Sequence, residues 1–374
     1  MYMRTRLLSL FALLFLAHNA IAQLTSLGLT EETHCTVKAF VPLPLLEVSD
    51  NYLYASTSKG LYRYALDGTG EWSLVLATDK FVSDYAVRGD TVIVTTTDLL
   101  YVSYDGGAEV TSIPMDTVFN RDMSELVWFN GKGAGVGVHP YNAKHFYVGH
   151  SGGGAYTGDG GQTWRQLNQP GHPGSDFSYN PLDTLQIVGY ADDVWYGDSD
   201  VRCSIDGGMS WTQRLGWDGV IIGILFHPTD KDKVIAYGGV YYMTDGSLEK
   251  WNRSPSADTR TLMDVVYDPY DPEILYGITS TRVKRSTDGG YTWSEIYNMQ
   301  DIATTLVSIA IHDHTLYICT SDKGVYAFDL TAAAISPVVE EASSLSPYYD
   351  LMGRPVANPT RGIYIKDGKK IAVD

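Results

Sequence analysis

Ser286-Thr287-Asp288-Gly289-Gly290-Tyr291-Thr292-Trp293 reads as a turn that closes an antiparallel hairpin. It recurs as Thr157-Gly158-Asp159-Gly160-Gly161-Gln162-Thr163-Trp164 and as Ser204-Ile205-Asp206-Gly207-Gly208-Met209-Ser210-Trp211. Asp-Gly supplies the positive-φ step of a tight turn, the carboxylate and the flanking hydroxyl bond nearby backbone groups, and the Trp buries the hairpin base. A motif repeated at intervals constrains the whole chain, because each copy belongs to one copy of the same supersecondary unit.

The unit is easiest to follow through its second strand, rich in Val, Ile and Tyr, at 51–55, 91–95, 145–149, 185–189, 233–237, 273–277 and 315–319. The turn aspartates keep step: Asp67, Asp105, Asp159, Asp206, Asp245 and Asp288 each precede Gly, and Asp329 holds the equivalent place without one. Three of the seven motifs are complete, ending in Trp164, Trp211 and Trp293, and four are eroded. Four strands per unit, at a period of roughly 40 to 50 residues, is the pattern of propeller blades and not of a helical solenoid. The expected fold is therefore all-β: a seven-bladed β-propeller of four-stranded antiparallel blades over 23–331. Composition agrees, with 44% apolar residues, 37 Gly and 27 Tyr.

The seventh unit supplies only three strands, because 326–330 runs straight into Thr331-Ala332-Ala333-Ala334. An open edge invites pairing, so an N-terminal strand is expected to complete the last blade and close the ring, and 33–40 is the segment expected to do so. That would put Cys35 and Cys319 in one blade with a strand between them, a poor geometry for a disulfide. Cys203 is the third cysteine, and no paired spacing among the three fits a zinc cluster. No cofactor or metal motif is read elsewhere.

Residues 1–22 carry Arg4 and Arg6, an apolar run from Leu7 to Leu16, and Ala20-Ile21-Ala22, the order of a secretory signal peptide. The run is too short to span a membrane. Its removal takes the net charge from −17 to −19, a balance that repels nucleic acid and anionic membrane surfaces. The expected location is outside the cell or on its surface. Residues 332–347 read as an Ala/Ser/Pro/Glu linker, and 348–374 as a tail ending in a β-hairpin, with strand-like 362–366 and an Asp367-Gly368 turn.

The repeated motif resembles the Asp-box, or BNR, repeat, across residues 46 to about 330. That family includes sialidases, xyloglucan-cleaving glycoside hydrolases, sortilin-type receptors and photosystem assembly factors, so the resemblance implies a fold and leaves the function open. The tail resembles the carboxy-terminal sorting signal of Bacteroidetes type IX secretion, through Tyr349-Asp350-Leu351-Met352-Gly353-Arg354 and Gly362-Ile363-Tyr364-Ile365 followed by Gly368-Lys369-Lys370. The resemblance implies secretion machinery as a partner of the tail.

The motif aspartates read as structural, placed between third and fourth strands on one face. Loops differ most between units on the opposite face, where function on a rigid scaffold usually sits. The 114–136 link carries Arg121 and Trp128. The fourth unit inserts Asp192, Asp193, Trp195 and Tyr196, and Trp217 and Asp218 precede the fifth. Aromatic faces beside acids and Arg suit a sugar ring, and equally a protein partner. The alternative is that these Trp fill gaps between blades. The insertion at 191–200 lacks EF-hand order for calcium.

Asp176 and Asp264 both fall five residues before a Pro, at the start of an inner strand facing the central channel. Two readings stand for them: general acid and base in glycoside cleavage, or polar lining of a wet channel. Gly149-His150-Ser151-Gly152-Gly153 matches GxSxG, but a nucleophile elbow needs a strand-to-helix turn, so Ser151 reads as a turn residue. The Arg-Ile-Pro step of sialidases is absent, and xyloglucanases resemble two propellers where this chain has one. The expected function is a non-catalytic glycan- or protein-binding module, with a glycoside hydrolase or lyase, or a surface assembly scaffold, as alternatives. Replacing Asp288 with Ala should lower the thermal midpoint and leave ligand binding intact. An unchanged midpoint with lost binding would place the turn in a binding site.

Overall fold

All seven second strands start within two residues of where the Val/Ile/Tyr runs place them. The computed structural model describes residues 24–29, 46–48, 52–120 apart from 79, 135–167 apart from 151 and 152, and 175–333 apart from 194–197, 216–220, 239–241, 245, 254–260 and 304. Beyond these it describes 348–349, 355–356, 362–366 and 369–373. By contact the chain separates into two units, Met1–Leu330 and Thr331–Asp374.

Among the described residues the first unit holds seven four-stranded antiparallel sheets that follow one another along the chain. Sheet 1 is Leu46–Val48, Tyr52–Thr57, Gly60–Ala65 and Trp72–Ala77, and sheet 2 is Asp84–Arg88, Thr91–Thr95, Leu99–Ser103 and Thr111–Pro114. Sheet 3 is Gly135–Val138, Phe146–His150, Gly153–Thr157 and Arg165–Leu167. Sheet 4 is Ser175–Tyr179, Ile187–Asp193, Asp198–Ser204 and Thr212–Leu215. Sheet 5 is Ile221–Phe226, Val234–Gly238, Tyr242–Thr244 and Trp251–Arg253, and sheet 6 is Asp264–Tyr267, Leu275–Ile278, Arg282–Ser286 and Ser294–Asn298. Sheet 7 takes Leu306–His312, Thr315–Thr320 and Val325–Asp329 from the end of the unit and its outer strand, Leu24–Gly28, from the beginning.

That outer strand corrects one expectation. An N-terminal strand does complete sheet 7, but it is Leu24–Gly28, pairing Leu24 with Phe328 and Ser26 with Tyr326, and not 33–40, which lies outside the described residues together with Cys35. An outer strand needs apolar contact along only part of its length. Leu27 and Leu29 supply it by packing with Trp72 and Tyr64, and the Trp72 Nε1–H donates to the Leu27 carbonyl at 2.9 Å. Cys203 and Cys319 are both buried.

Each sheet is apolar on both faces and packs on its neighbours. Leu61 and Leu76 meet Val87 and Val92 between sheets 1 and 2, and Ile93 and Leu100 meet Phe146 and Val148 between sheets 2 and 3. Helix α1, Met115–Phe119, seals the second of these seams with Met115, Val118 and Phe119, an element the strand pattern did not announce. Sheet 7 packs back on sheet 1 through Ala310, Tyr317 and Val325 against Leu53 and Trp72. Trp72 and Trp251, which open fourth strands, and Trp164, Trp211 and Trp293, which each stand one residue before one, all lie in the seam facing the preceding sheet.

The Asp-Gly-Gly turns join third to fourth strands as expected. In sheet 4, Ser204 Oγ donates to Asp206 Oδ1 at 2.8 Å and accepts from Gly208 N at 2.8 Å, while Ser210 donates to Asp206 from its N at 2.9 Å and from its Oγ at 2.6 Å. Asp159 and Asp288 are held the same way by Thr163 and Thr292. Erosion shows as lost bonds: Asp105 accepts from Ser103 Oγ and Glu109 N, and Asp67 from Thr69. Asp245 lies outside the described residues. Glycine is required at 208 twice over, since its φ is +80° and a Cβ there would overlap the Tyr147 hydroxyl of sheet 3.

The second unit is a four-stranded sheet in the order Pro355–Val356, Tyr348–Tyr349, Gly362–Lys366, Lys369–Val373. The expected hairpin is its last two strands, and two short strands are added to it. Deleting 24–28 should lower the thermal midpoint by more than about 5 °C and make the protein associate with rising concentration, read by light scattering, because the edge of Val325–Asp329 is uncovered.

Candidate functional site

The first strands of sheets 2 to 7 line one cavity of about 490 Å³. Small residues at Ala86, Gly137, Ser178 and Ser308 keep it open, and Asp84, Arg88 and Asp264 bring charge to its wall. One strand position recurs around it. Asp84 in sheet 2, Gly135 in sheet 3, Asp176 in sheet 4, Gly223 in sheet 5, Asp264 in sheet 6 and Ser308 in sheet 7 all occupy the same register against their second strands. Aspartate thus alternates with glycine or serine.

The two aspartates with described side chains use that alternation to cross a seam. Asp264 Oδ1 accepts from its own strand's Val265 N at 2.9 Å and from the Tyr237 hydroxyl of sheet 5 at 2.8 Å, and Oδ2 accepts from Ile309 N of sheet 7 at 2.9 Å. Asp84 repeats the pattern, with Tyr85 N at 2.8 Å and Val136 N of sheet 3 at 2.7 Å. Gly223 makes the Tyr237 bond possible, because a Cβ there would overlap the Tyr237 ring. Burial pushes the Asp264 carboxyl up to about 6, against the pull of the Ile309, Tyr237 and Val265 donors.

Of the residues read from the sequence, Asp264 lines the cavity. Asp176 lies in Ser175–Tyr179 paired with Tyr190, with its side chain outside the described residues. Asp84 was missed: its strand ends in Arg88-Gly89 and lacks the Pro used for counting. Counting back from the turn would have found it. Asp192 and Asp193 close a long hairpin, paired with Ser199 and Asp198, at the end of sheet 4 opposite its Asp-Gly-Gly turn. Arg121, Trp128, Trp195, Tyr196, Trp217 and Asp218 lie outside the described residues, as does Ser151. Among the described residues no group of three His, Cys, Asp or Glu is placed to hold a metal.

No protein-family model matches the chain, and no curated protein matches it. Solved structures do. The GH74 xyloglucanase from Xanthomonas campestris is 16% identical with a TM-score of 0.60 over 78% of this chain and 52% of that one, so the chain spans about half its length. YCF48 bound to D1 peptide is 15% identical with a TM-score of 0.56, covering 78% of this chain and 94% of that one. The Pan2 WD40 domain of Neurospora crassa is 11% identical with a TM-score of 0.58, at 82% and 95% coverage. The fold is that of a β-propeller. At these identities the likeness speaks to the fold alone.

The carboxyls give stability a signed pH dependence. Hydrogen bonds from Thr163 and Ser210 pull Asp159 and Asp206 down to about 2. The unfolded chain binds more protons than the folded one between there and the ordinary carboxylate value of about 4, so stability rises with pH over that range. Asp264 acts oppositely, holding its proton more tightly when folded, so stability falls between about 4 and 6. Asp264→Asn should abolish the fall and leave the rise, as read from thermal midpoints across pH.

Proposed function

We propose that the chain is a secreted, seven-bladed β-propeller of the Asp-box type, its ring closed through sheet 7, that acts as a non-catalytic binding module for a glycan or protein. The ligand sits on the face opposite the Asp-Gly-Gly turns, among Arg121, Trp128, Asp192, Asp193, Trp195, Tyr196, Trp217 and Asp218. The observation that supports binding without turnover is the state of Asp264, whose two oxygens accept three hydrogen bonds from three different sheets. A carboxylate that stitches blades together is poorly placed to trade protons with a substrate. Of the three solved structures compared above, YCF48, bound to a peptide, and the WD40 domain are matched over nearly their full length, whereas the xyloglucanase is matched over half. The tail at 348–374 is read as a sorting signal for the secretion machinery, and 1–22 as a cleaved signal peptide.

One observation favours a second reading. A carboxyl raised to about 6 beside a cavity has the character of a general acid, which keeps a glycoside hydrolase or lyase acting through Asp264 and Asp176 in play. Incubating the mature protein with a panel of polysaccharides and measuring reducing ends separates the two. The binding reading expects retention without turnover, weakened about tenfold or more by Trp195→Ala or Trp217→Ala. Turnover that vanishes in Asp176→Asn would overthrow it. A protein partner captured with no sugar affinity would point to an assembly scaffold.

A further inference from the structure

The internal repeats serve as controls for one another, and sheet 4 departs from them on the face that carries the Asp-Gly-Gly turns. Antiparallel order puts first-to-second and third-to-fourth connections at the same end of every sheet. On that end four positions can be compared across sheets 3, 4 and 6. Within the turn, sheet 4 has Ile205 and Met209 where sheet 3 has Gly158 and Gln162 and sheet 6 has Thr287 and Tyr291. After the Pro of the first connection, sheet 4 has Leu182 and Leu185 where sheet 3 has Tyr141 and Lys144, sheet 5 has Thr229 and Asp232, and sheet 6 has Tyr270 and Glu273. The fold accepts glycine, glutamine, threonine, charged residues and exposed tyrosines at these positions, so packing does not demand an aliphatic side chain at any of the four.

All four are nevertheless aliphatic or thioether in sheet 4, and all four are exposed: Leu182 by 45%, Leu185 by 56%, Ile205 by 61% and Met209 by 74%. They are also contiguous. Gly207 N donates to the Leu185 carbonyl at 2.9 Å, tying the two connections together. Arg165 of sheet 3 reaches Gly208 O at 3.3 Å and Met209 Sδ at 3.2 Å. Tyr141, 75% exposed, extends the patch from sheet 3 and donates its hydroxyl to Pro181 O at 2.5 Å. A grouped apolar surface of this kind on a soluble fold marks an interaction site.

We propose that this corner is a second interaction surface, and that its partner is a protein segment presenting apolar side chains among lysines and arginines. Three observations choose that occupant. Leucine, isoleucine and methionine offer no flat aromatic platform for a sugar ring, but they fit the side chains of a peptide. The net charge of −17 repels acidic partners, anionic membranes and a second copy of this chain, and attracts a basic rim. The face is the opposite one from the end of sheet 4 where Asp192 pairs with Ser199 and Asp193 with Asp198, so the proposal stands whether or not a ligand binds at that end.

The test transplants the sibling residues. In the full chain, Leu182→Thr, Ile205→Thr and Met209→Gln together copy Thr229, Thr287 and Gln162, which the same fold already accepts. A fluorescein-labelled amphipathic peptide of leucine and lysine is the probe, read by anisotropy at physiological salt, with its leucine–glutamate counterpart alongside. The expected result is an unchanged thermal midpoint, at least tenfold weaker binding of the lysine peptide by the triple variant, and no binding of the glutamate peptide. Leu74→Thr with Ile222→Thr, which removes exposed apolar side chains elsewhere, should bind as wild type. Equal binding by the triple variant overturns the proposal. So does sedimentation showing that wild type self-associates where the variant does not, or capture of the wild type alone by phosphatidylcholine vesicles.

Discussion

A four-stranded sheet with no helical layer has two faces to cover, and this chain covers both with other sheets. That requirement explains the strand composition, because a sheet apolar on both sides cannot show a clean alternation of polar and apolar residues. It explains why the tryptophans at the entry to the fourth strands stand in the seams, where one large ring fills the space between outer strands. It also sets the closeness that makes Gly208 obligatory against Tyr147 of the sheet before. A sequence of sheets has two ends, and Ala310, Tyr317 and Leu53 show how they meet: sheet 7 covers sheet 1.

Toward the middle the sheets converge and side chains run out of room. The solution at the channel wall is alternation, with an aspartate at one sheet and glycine or serine at the next. The carboxylate of Asp84 or Asp264 then reaches into the space its neighbour leaves and accepts a backbone N–H across the seam. Leaving such a donor unpaired in a buried seam would be costly, so these acids are part of the frame in the way the turn aspartates are part of the rim. Charge serves cohesion at both radii of the molecule.

Much of this was legible because the repeat is local. Asp-Gly-Gly, Trp and the Val/Ile/Tyr runs each report on a few neighbouring residues, and their spacing marked four-stranded antiparallel sheets and where their second strands begin. The helix Met115–Phe119 was hidden, since five residues carry too little periodicity to stand out. The strand Leu24–Gly28 was hidden for a different reason: Leu-Thr-Ser-Leu-Gly has no strand pattern of its own, and only the sheet it joins makes it one. Asp264 was found by its offset from a proline. Asp84 escaped because its strand ends without one, and no local signal says that a carboxylate will bond a backbone group in another sheet.

The pairing of Leu24 with Phe328 joins the two most distant parts of the unit. Long-range pairings of this kind form late, because the chain must close a loop of nearly its whole length before any contact rewards it. In a chain made from its amino terminus, Leu24–Gly28 emerges first and finds its partner last. Sheets 1 to 6 can assemble as they appear, while the outermost place in sheet 7 stays vacant until Val325–Asp329 exists. The strand made before all the others described in this unit therefore cannot be paired until its last strands exist.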